Sequence, residues 1–192
     1  KLRIFGPSKK GAQLEGSKIY AKKIMRRYGI PTADFESFSN YDLALQYLLH
    51  RRYPLVIKAD GLASGKGVQV AKNQNEATEF LKKIMVDKIF GSSGNEVLVE
   101  DCLEGPELSV LALMDGRSVK LLPEARDHKR VFDHNQGPNT GGMGAFSPVA
   151  GVTEVLIDEI NKTVFLPLSN GLRADGIEYR GVLYAGLMLT KT

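Results

Sequence analysis

The stretch Arg126-Asp127-His128-Lys129-Arg130 sets cations around one carboxylate, and Gly137-Pro138-Asn139-Thr140-Gly141-Gly142-Met143-Gly144 follows with four glycines. Glycine costs roughly 0.5–1 kcal/mol relative to alanine in regular structure, so this is poor material for a helix or a strand core. It offers instead close backbone approach and a run of unshielded N–H groups, the raw material of an anion nest. A flexible loop beside a solvated charge cluster is the alternative. Asn139, Thr140 and the cations upstream favour a site for a carboxylate or a phosphate.

A second glycine-rich segment, Asp60-Gly61-Leu62-Ala63-Ser64-Gly65-Lys66-Gly67, invites comparison with a P-loop and fails it. A P-loop needs four residues between its glycines and Ser or Thr after the lysine. The run after it, Val68 to Ala71, is β-rich, so no helix N-terminus stands ready for phosphate. The segment reads as a hairpin whose N–H groups and Lys66 can fold over phosphates, or as an ordinary hairpin tip. Lys58 strengthens the first reading: in an otherwise apolar strand an unpaired ammonium is costly to bury, so it needs solvent or an anion. Lys18 falls in the first turn of a helix, where the dipole disfavours a cation.

Glu100-Asp101-Cys102-Leu103 ends one strand, and Glu104-Gly105-Pro106-Glu107 opens the next. A carboxylate and backbone groups at such a crossover can hold an adenine amino group, with Glu107 on a ribose hydroxyl. Solvated carboxylates are the alternative. His50, His128 and His134 lack metal-ligand spacing, and no zinc site is expected.

The elements that must carry these residues are legible from periodicity. Ser17 caps a helix with Ala21, Ile24, Met25 and Tyr28 on its apolar face, ended by Gly29-Ile30-Pro31. A second helix is expected from Tyr41 to Arg52 and a strand at Leu55 to Ala59. A third helix is expected to be capped by Asn75. Strands are expected at Glu96 to Leu103, Leu108 to Met114 and Ser118 to Leu122, the last two joined by the Asp115-Gly116 turn. Thr153 caps a helix closed by Pro167, and Tyr179 to Leu189 is the final strand. Helices among mostly antiparallel strands predict an α+β fold with two lobes.

The 192 residues suffice for one domain or two small lobes. A formal net charge of +4 fits anionic small molecules, and the dispersed cations give no stripe for nucleic acid. A single cysteine, Cys102, excludes an internal disulfide and makes a reducing compartment the default. No apolar run reaches about 18 residues, so no membrane partner is expected. The chain reads as cytoplasmic and, from Lys1-Leu2-Arg3 and the halt at Thr192 just after a strand, as a piece of a larger protein.

In order, Phe5-Gly6-Pro7-Ser8, Gln13 to Lys18, Gly29 to Thr32, Tyr53 to Ala63 with Gly65 to Val68, Asp127 to Arg130, Gly137 to Ala145 and Leu183 to Met188 resemble the ATP-grasp domain of the phosphoribosylamine–glycine ligase family, also called glycinamide ribonucleotide synthetases. The hairpin alone indicates only ATP-grasp. The pair Asp-His-Lys-Arg and Pro-Asn-Thr-Gly-Gly-Met-Gly is the more specific part.

The resemblance implies an ATP-grasp fold, incomplete at both ends. Residues 1–40 would be a leading segment and helix of the core lobe, 41–101 the lid lobe and 102–192 the rest of the core lobe. ATP would lie between the lobes, Lys18 and Lys58 on its phosphates, the loop of Gly61, Ser64, Gly65, Lys66 and Gly67 over them. Glu100, Asp101 and Leu103 would hold adenine and Glu107 the ribose. Lys129 and Asn139 would be catalytic, and Asp127, Lys129, Asn139, Thr140, Gly141, Gly142, Met143 and Gly144 would face glycine and 5-phosphoribosylamine. The glycine carboxylate would attack the γ-phosphate, and the amine would displace phosphate from glycyl phosphate.

Mg2+ (or Mn2+) would be held by a glutamate and an asparagine beyond Thr192, so the fragment alone is expected to be inactive. Other purine-synthesis domains are possible partners in the same polypeptide. Arg126 departs from the family's usual glutamine, and Cys102 from its aromatic. Another ATP-grasp carboxylate–amine ligase and a non-catalytic nucleotide-binding module are the competing readings.

Overall fold

Alternate side chains of Leu55-Val56-Ile57-Lys58-Ala59 point to opposite faces of a sheet, and that alternation organises half of the molecule. The computed structural model describes residues 3–63, 65–128, 130–133 and 136–190. Contacts divide the chain into two units, residues 12–27 with 31–103, and residues 1–11 with 28–30 and 104–192. The boundary expected between residues 40 and 41 falls inside the first of these.

That unit contains α1 (Gln13–Gly16), α2 (Lys18–Arg27), β1 (Phe35–Phe38), α3 (Tyr41–Leu49), β2 (Leu55–Ala59), β3 (Val68–Ala71), α4 (Gln74–Met85), a 3-10 turn at Gly91–Gly94 and β4 (Val97–Asp101). Its four strands pair antiparallel in the order β1-β4-β2-β3. Leu55, Ile57, Ala59, Val97 and Val99 pack on one face against Ala44 and Leu48 of α3 and Ala77, Phe80, Leu81 and Ile84 of α4. On the opposite face, Ile19 of α2 packs with Phe35 and Leu98. The remainder of that second face holds Val56, Lys58, Val68 and Val70, of which Val68 and Val70 are exposed.

Some boundaries moved from expectation for identifiable reasons. Asn73, not Asn75, caps α4: its side chain accepts the Glu76 N–H at 3.0 Å, while Glu76 reaches back to the Lys72 N–H at 2.8 Å. This is a reciprocal N-terminal cap of the capping-box kind. α3 stops at Leu49 rather than Arg52, and Arg51 leaves the helix to pair with Asp101 across the sheet end. β1, Phe-Glu-Ser-Phe, was not expected, because four residues carry too little alternation to stand out.

The second unit holds β5 (Glu107–Asp115), β6 (Val119–Leu121), β7 (Arg126–Asp127), β8 (Arg130–Phe132), β9 (Gln136–Asn139), β10 (Ala145–Phe146), α5 (Glu154–Ile160), a π turn at Asn161–Phe165, α6 (Leu166–Ala174) and β11 (Arg180–Met188). β11 pairs antiparallel with β5 along its whole length, and β6 flanks β5. Asp115 makes the expected turn, its Oδ1 accepting the N–H groups of Arg117 and Ser118 at 2.8 and 2.6 Å. Pro167 does not close the helix. It sits in the first turn of α6, where a missing N–H is tolerated, and the π turn before it carries the helical path onward to Ala174. The α+β, mostly antiparallel architecture is as expected.

Candidate functional site

The register of the first sheet puts Lys58 and Glu100 on the face that α2 covers only in part: Val56 opposes Glu100, and Lys58 opposes Leu98. The Lys58 ammonium pairs with Glu100 Oε1. From the other side Lys22, projecting from α2, brings its ammonium to 2.7 Å from Glu100 Oε2. Lys22 also donates to Thr32 Oγ1 at 2.6 Å and to the Ala33 carbonyl at 3.1 Å. Lys22 and Glu100 are buried, whereas the Lys58 side chain keeps 25% of its surface. Burial pushes Lys22 below the ordinary lysine value, and Glu100 opposes that shift.

Lys18 belongs to the same face. Its ammonium donates to the carbonyls of Ala59 and Gly61, both at 3.0 Å, and so grips the root of the glycine loop. Burial lowers its pKa, Asp60 opposes the shift, and the neighbouring charge of Lys58 adds to it. The anion that compensates this helix start is Asp60. Its Oδ1 accepts the Ile19 N–H at 2.7 Å and the Ser17 hydroxyl at 3.0 Å, while Ser17 Oγ caps Tyr20 N–H at 2.9 Å.

The loop itself is closed at its base by Ala59 N–H to the Gly67 carbonyl, 2.8 Å, and turned by Lys66 N–H to the Ala63 carbonyl, 2.9 Å. Gly65 has φ +74, which suits glycine. Ser93 of the 3-10 turn donates to the Leu62 carbonyl at 3.0 Å, and a Cβ on Gly61 would come within 2.9 Å of Ser93 Cβ. Lys66 is exposed, and Ser64 lies outside the described residues.

Around these cations the sheet offers an apolar platform of Val56, Val68 and Val70. Asp101 ends β4 with its N–H bonded to the Asp34 carbonyl at 3.0 Å and its carboxylate on Arg51. A cavity of about 490 Å3 opens there, lined by His50 to Pro54 with Asp101 and Cys102. Leu103 is exposed. Lysines beside an apolar sheet face can receive an anion joined to a flat heterocycle.

The other expected residues lie in the second unit. Glu107 begins β5, and its carbonyl accepts Arg126 Nε at 2.8 Å, so Arg126 has a structural contact. Asp127 pairs with Ala145 in the β7–β10 ladder. The glycine stretch is more regular than expected, since Gln136–Asn139 forms a strand against Arg130–Phe132. Its N–H groups are not a uniform free nest. That of Gly142 donates to Thr140 Oγ1 at 3.1 Å, and that of Met143 to the His128 carbonyl at 2.7 Å. Gly141 and Gly144 are exposed, the latter with φ +149. Lys129 and the Asn139 side chain lie outside the described residues.

Residues 16–192 match the model of the phosphoribosylglycinamide synthetase ATP-grasp (A) domain. The chain belongs to that family. It is 50% identical over 189 residues to a phosphoribosylamine–glycine ligase of Leptospira interrogans, covering 98% of this chain and 44% of the relative. It is 49% identical over 191 residues to the trifunctional purine biosynthetic protein adenosine-3 of Gallus gallus, covering 99% of this chain and 19% of that one. A crystal structure of phosphoribosylamine–glycine ligase from Thermotoga maritima superposes with a TM-score of 0.91 at 41% identity, over 98% of this chain and 48% of that one. The chain thus spans about half the length, or less, of the relatives it matches. The phosphoribosylglycinamide synthetase ATP-grasp fold is the frame in which both glycine-rich segments sit. No helix among the described residues is long and apolar enough to cross a membrane.

Sequence reasoning missed Lys22 and the capping role of Asp60. The signal for Lys22 was a lysine one turn after Lys18 on the flank of an apolar stripe, a spacing that surface lysines share.

Proposed function

We propose that this chain is the ATP-grasp part of an ATP-dependent carbon–nitrogen ligase joining glycine to 5-phosphoribosylamine in de novo purine biosynthesis. ATP supplies the phosphoryl group: a glycine carboxylate oxygen bonds to the γ-phosphorus as the bond to ADP breaks. The amine nitrogen of phosphoribosylamine then bonds to the glycyl carbonyl carbon, phosphate leaves, and the nitrogen releases a proton. The products are glycinamide ribonucleotide, ADP and phosphate.

Family membership supports the reaction, and one observation carries the nucleotide's place: the Lys58 ammonium, held by Glu100, stands on the open sheet face beside Val56 and opposite Val68. In this reading Lys58 and Lys18 orient and neutralise phosphates, and the N–H groups of the Gly61, Gly65 and Gly67 loop with Lys66 cover them. Ser64 belongs to that loop. Glu100, Asp101 and Leu103 hold adenine, partly through backbone atoms, the Glu100 carboxylate staying with its two lysines, and Glu107 holds the ribose. Positioning and charge neutralisation supply most of such catalysis. Asp127, Lys129, Asn139 and Thr140 to Gly144 are assigned to glycine and phosphoribosylamine, with Lys129 and Asn139 as the catalytic positions. Among the described residues no group of three or more His, Cys, Asp or Glu side chains gathers to hold a metal ion, so the Mg2+ (or Mn2+) of this proposal is given no ligand here.

The test is ADP release by the full-length protein. Release that requires both glycine and 5-phosphoribosylamine is expected. Release supported by a different carboxylate–amine pair, and not by this one, would replace the substrate assignment. Nucleotide binding with no turnover on any pair would favour a non-catalytic module.

A further inference from the structure

We propose that Lys22 is a positioning residue for the nucleotide site, neutralising Glu100 from behind so that the charge of Lys58 stays available to a phosphate. This rests on the ATP reading above.

Lys22 cannot itself meet a ligand. It is 8% exposed; its ammonium donates to Thr32 Oγ1 and the Ala33 carbonyl and lies 2.7 Å from Glu100 Oε2 as an ion pair. The Phe35 ring closes another side, its centroid 5.2 Å from the nitrogen. Arg26, one turn further along α2, stacks on that same ring and bonds the Phe35 carbonyl, so it does not share the work on Glu100.

Glu100 divides its two oxygens between two lysines. Oε1 meets Lys58, and Oε2 is buried with no aligned hydrogen bond among the described residues, so the nearby charge of Lys22 is what offsets it. Two ammoniums against one carboxylate leave a surplus positive charge, and only Lys58 has a surface through which to express it. Without Lys22 the same carboxylate and Lys58 would close into a neutral pair. Low local dielectric makes that difference larger than it would be in water.

The test is ATP titration by calorimetry of the full-length protein at fixed pH and salt, with thermal melting as a check on folding. Lys22→Met is expected to weaken ATP binding by about tenfold or more. Glu100→Gln removes the charge that would otherwise claim Lys58, so Lys22→Met with Glu100→Gln should bind ATP more tightly than Lys22→Met alone. That sign of coupling is what a charge-balancing role requires and a packing role does not produce.

Wild-type affinity in Lys22→Met would overturn the proposal, and so would a double variant that binds no better than Lys22→Met. If Lys22→Met fails to fold, the charge-balanced double variant decides, with binding within about threefold of Glu100→Gln expected. Failure of both to fold would make Lys22 a structural residue only. A wild-type protein that binds no ATP, or a Lys58→Ala variant that binds it normally, would instead fault the ATP reading itself.

Discussion

The Asp60 carboxylate accepts the backbone N–H of Ile19 at 2.7 Å, so the residue that opens the glycine loop also caps α2. Loop and helix are therefore one mechanical piece, with Lys18 returning the favour by donating to the carbonyls on either side of Asp60. Replacing Asp60 by alanine should cost about 0.5–2 kcal/mol, the range for a lost helix cap. Urea denaturation would measure it, and a variant as stable as wild type would show that the cap carries no weight.

The glycine at position 61 is required by its neighbour. Gly61→Ala would drive a Cβ to within 2.9 Å of Ser93 Cβ and disturb the turn that bonds Leu62. Overpacking of this kind costs about 1–3 kcal/mol. Thermal melts should show the loss, and adding Ser93→Gly should recover part of it. No recovery would place the strain elsewhere.

Stability should carry a signature of the buried lysines at alkaline pH. Lys18 and Lys22 both sit below the ordinary 10.5, burial being the first cause in each. Between their lowered values and 10.5 the unfolded chain holds more protons than the folded one, so stability rises with pH through that window. The penalty for burying the charged form is thus present at neutral pH and relieved as pH climbs. Lys18→Met removes one of the two groups, and its stability should climb less steeply than wild type as pH approaches 10.5. Parallel curves in urea titrations would contradict the burial of the charge.

Much of this site is legible in the amino-acid sequence. Lys58 stood out because a lysine in an apolar strand must answer to something, and the glycine pattern beside it excluded a P-loop. What answers Lys58 here, Glu100, is far away in sequence, and only the antiparallel register of β2 with β4 puts Val56 opposite Glu100. Lys22 was invisible for the same reason: its helix is amphipathic, and nothing local distinguishes a lysine on its border from a solvated one. Asp60 looked like part of the glycine loop, yet its carboxylate belongs to a helix more than forty residues earlier. In the second glycine-rich segment local cost misled. Gln136–Asn139 pairs as a strand because Arg130–Phe132 supplies a partner, so cross-strand hydrogen bonds override the poor propensity of glycine and proline.

In the proposed function a nucleotide is held on the open face of the β1-β4-β2-β3 sheet through Lys58. Titrating ATP into the wild-type protein and into Lys58→Ala by calorimetry tests it most directly. Charged hydrogen bonds contribute about 1.5–3 kcal/mol, so the variant should bind ATP about tenfold more weakly, or worse. An unchanged ATP affinity in Lys58→Ala would contradict the account.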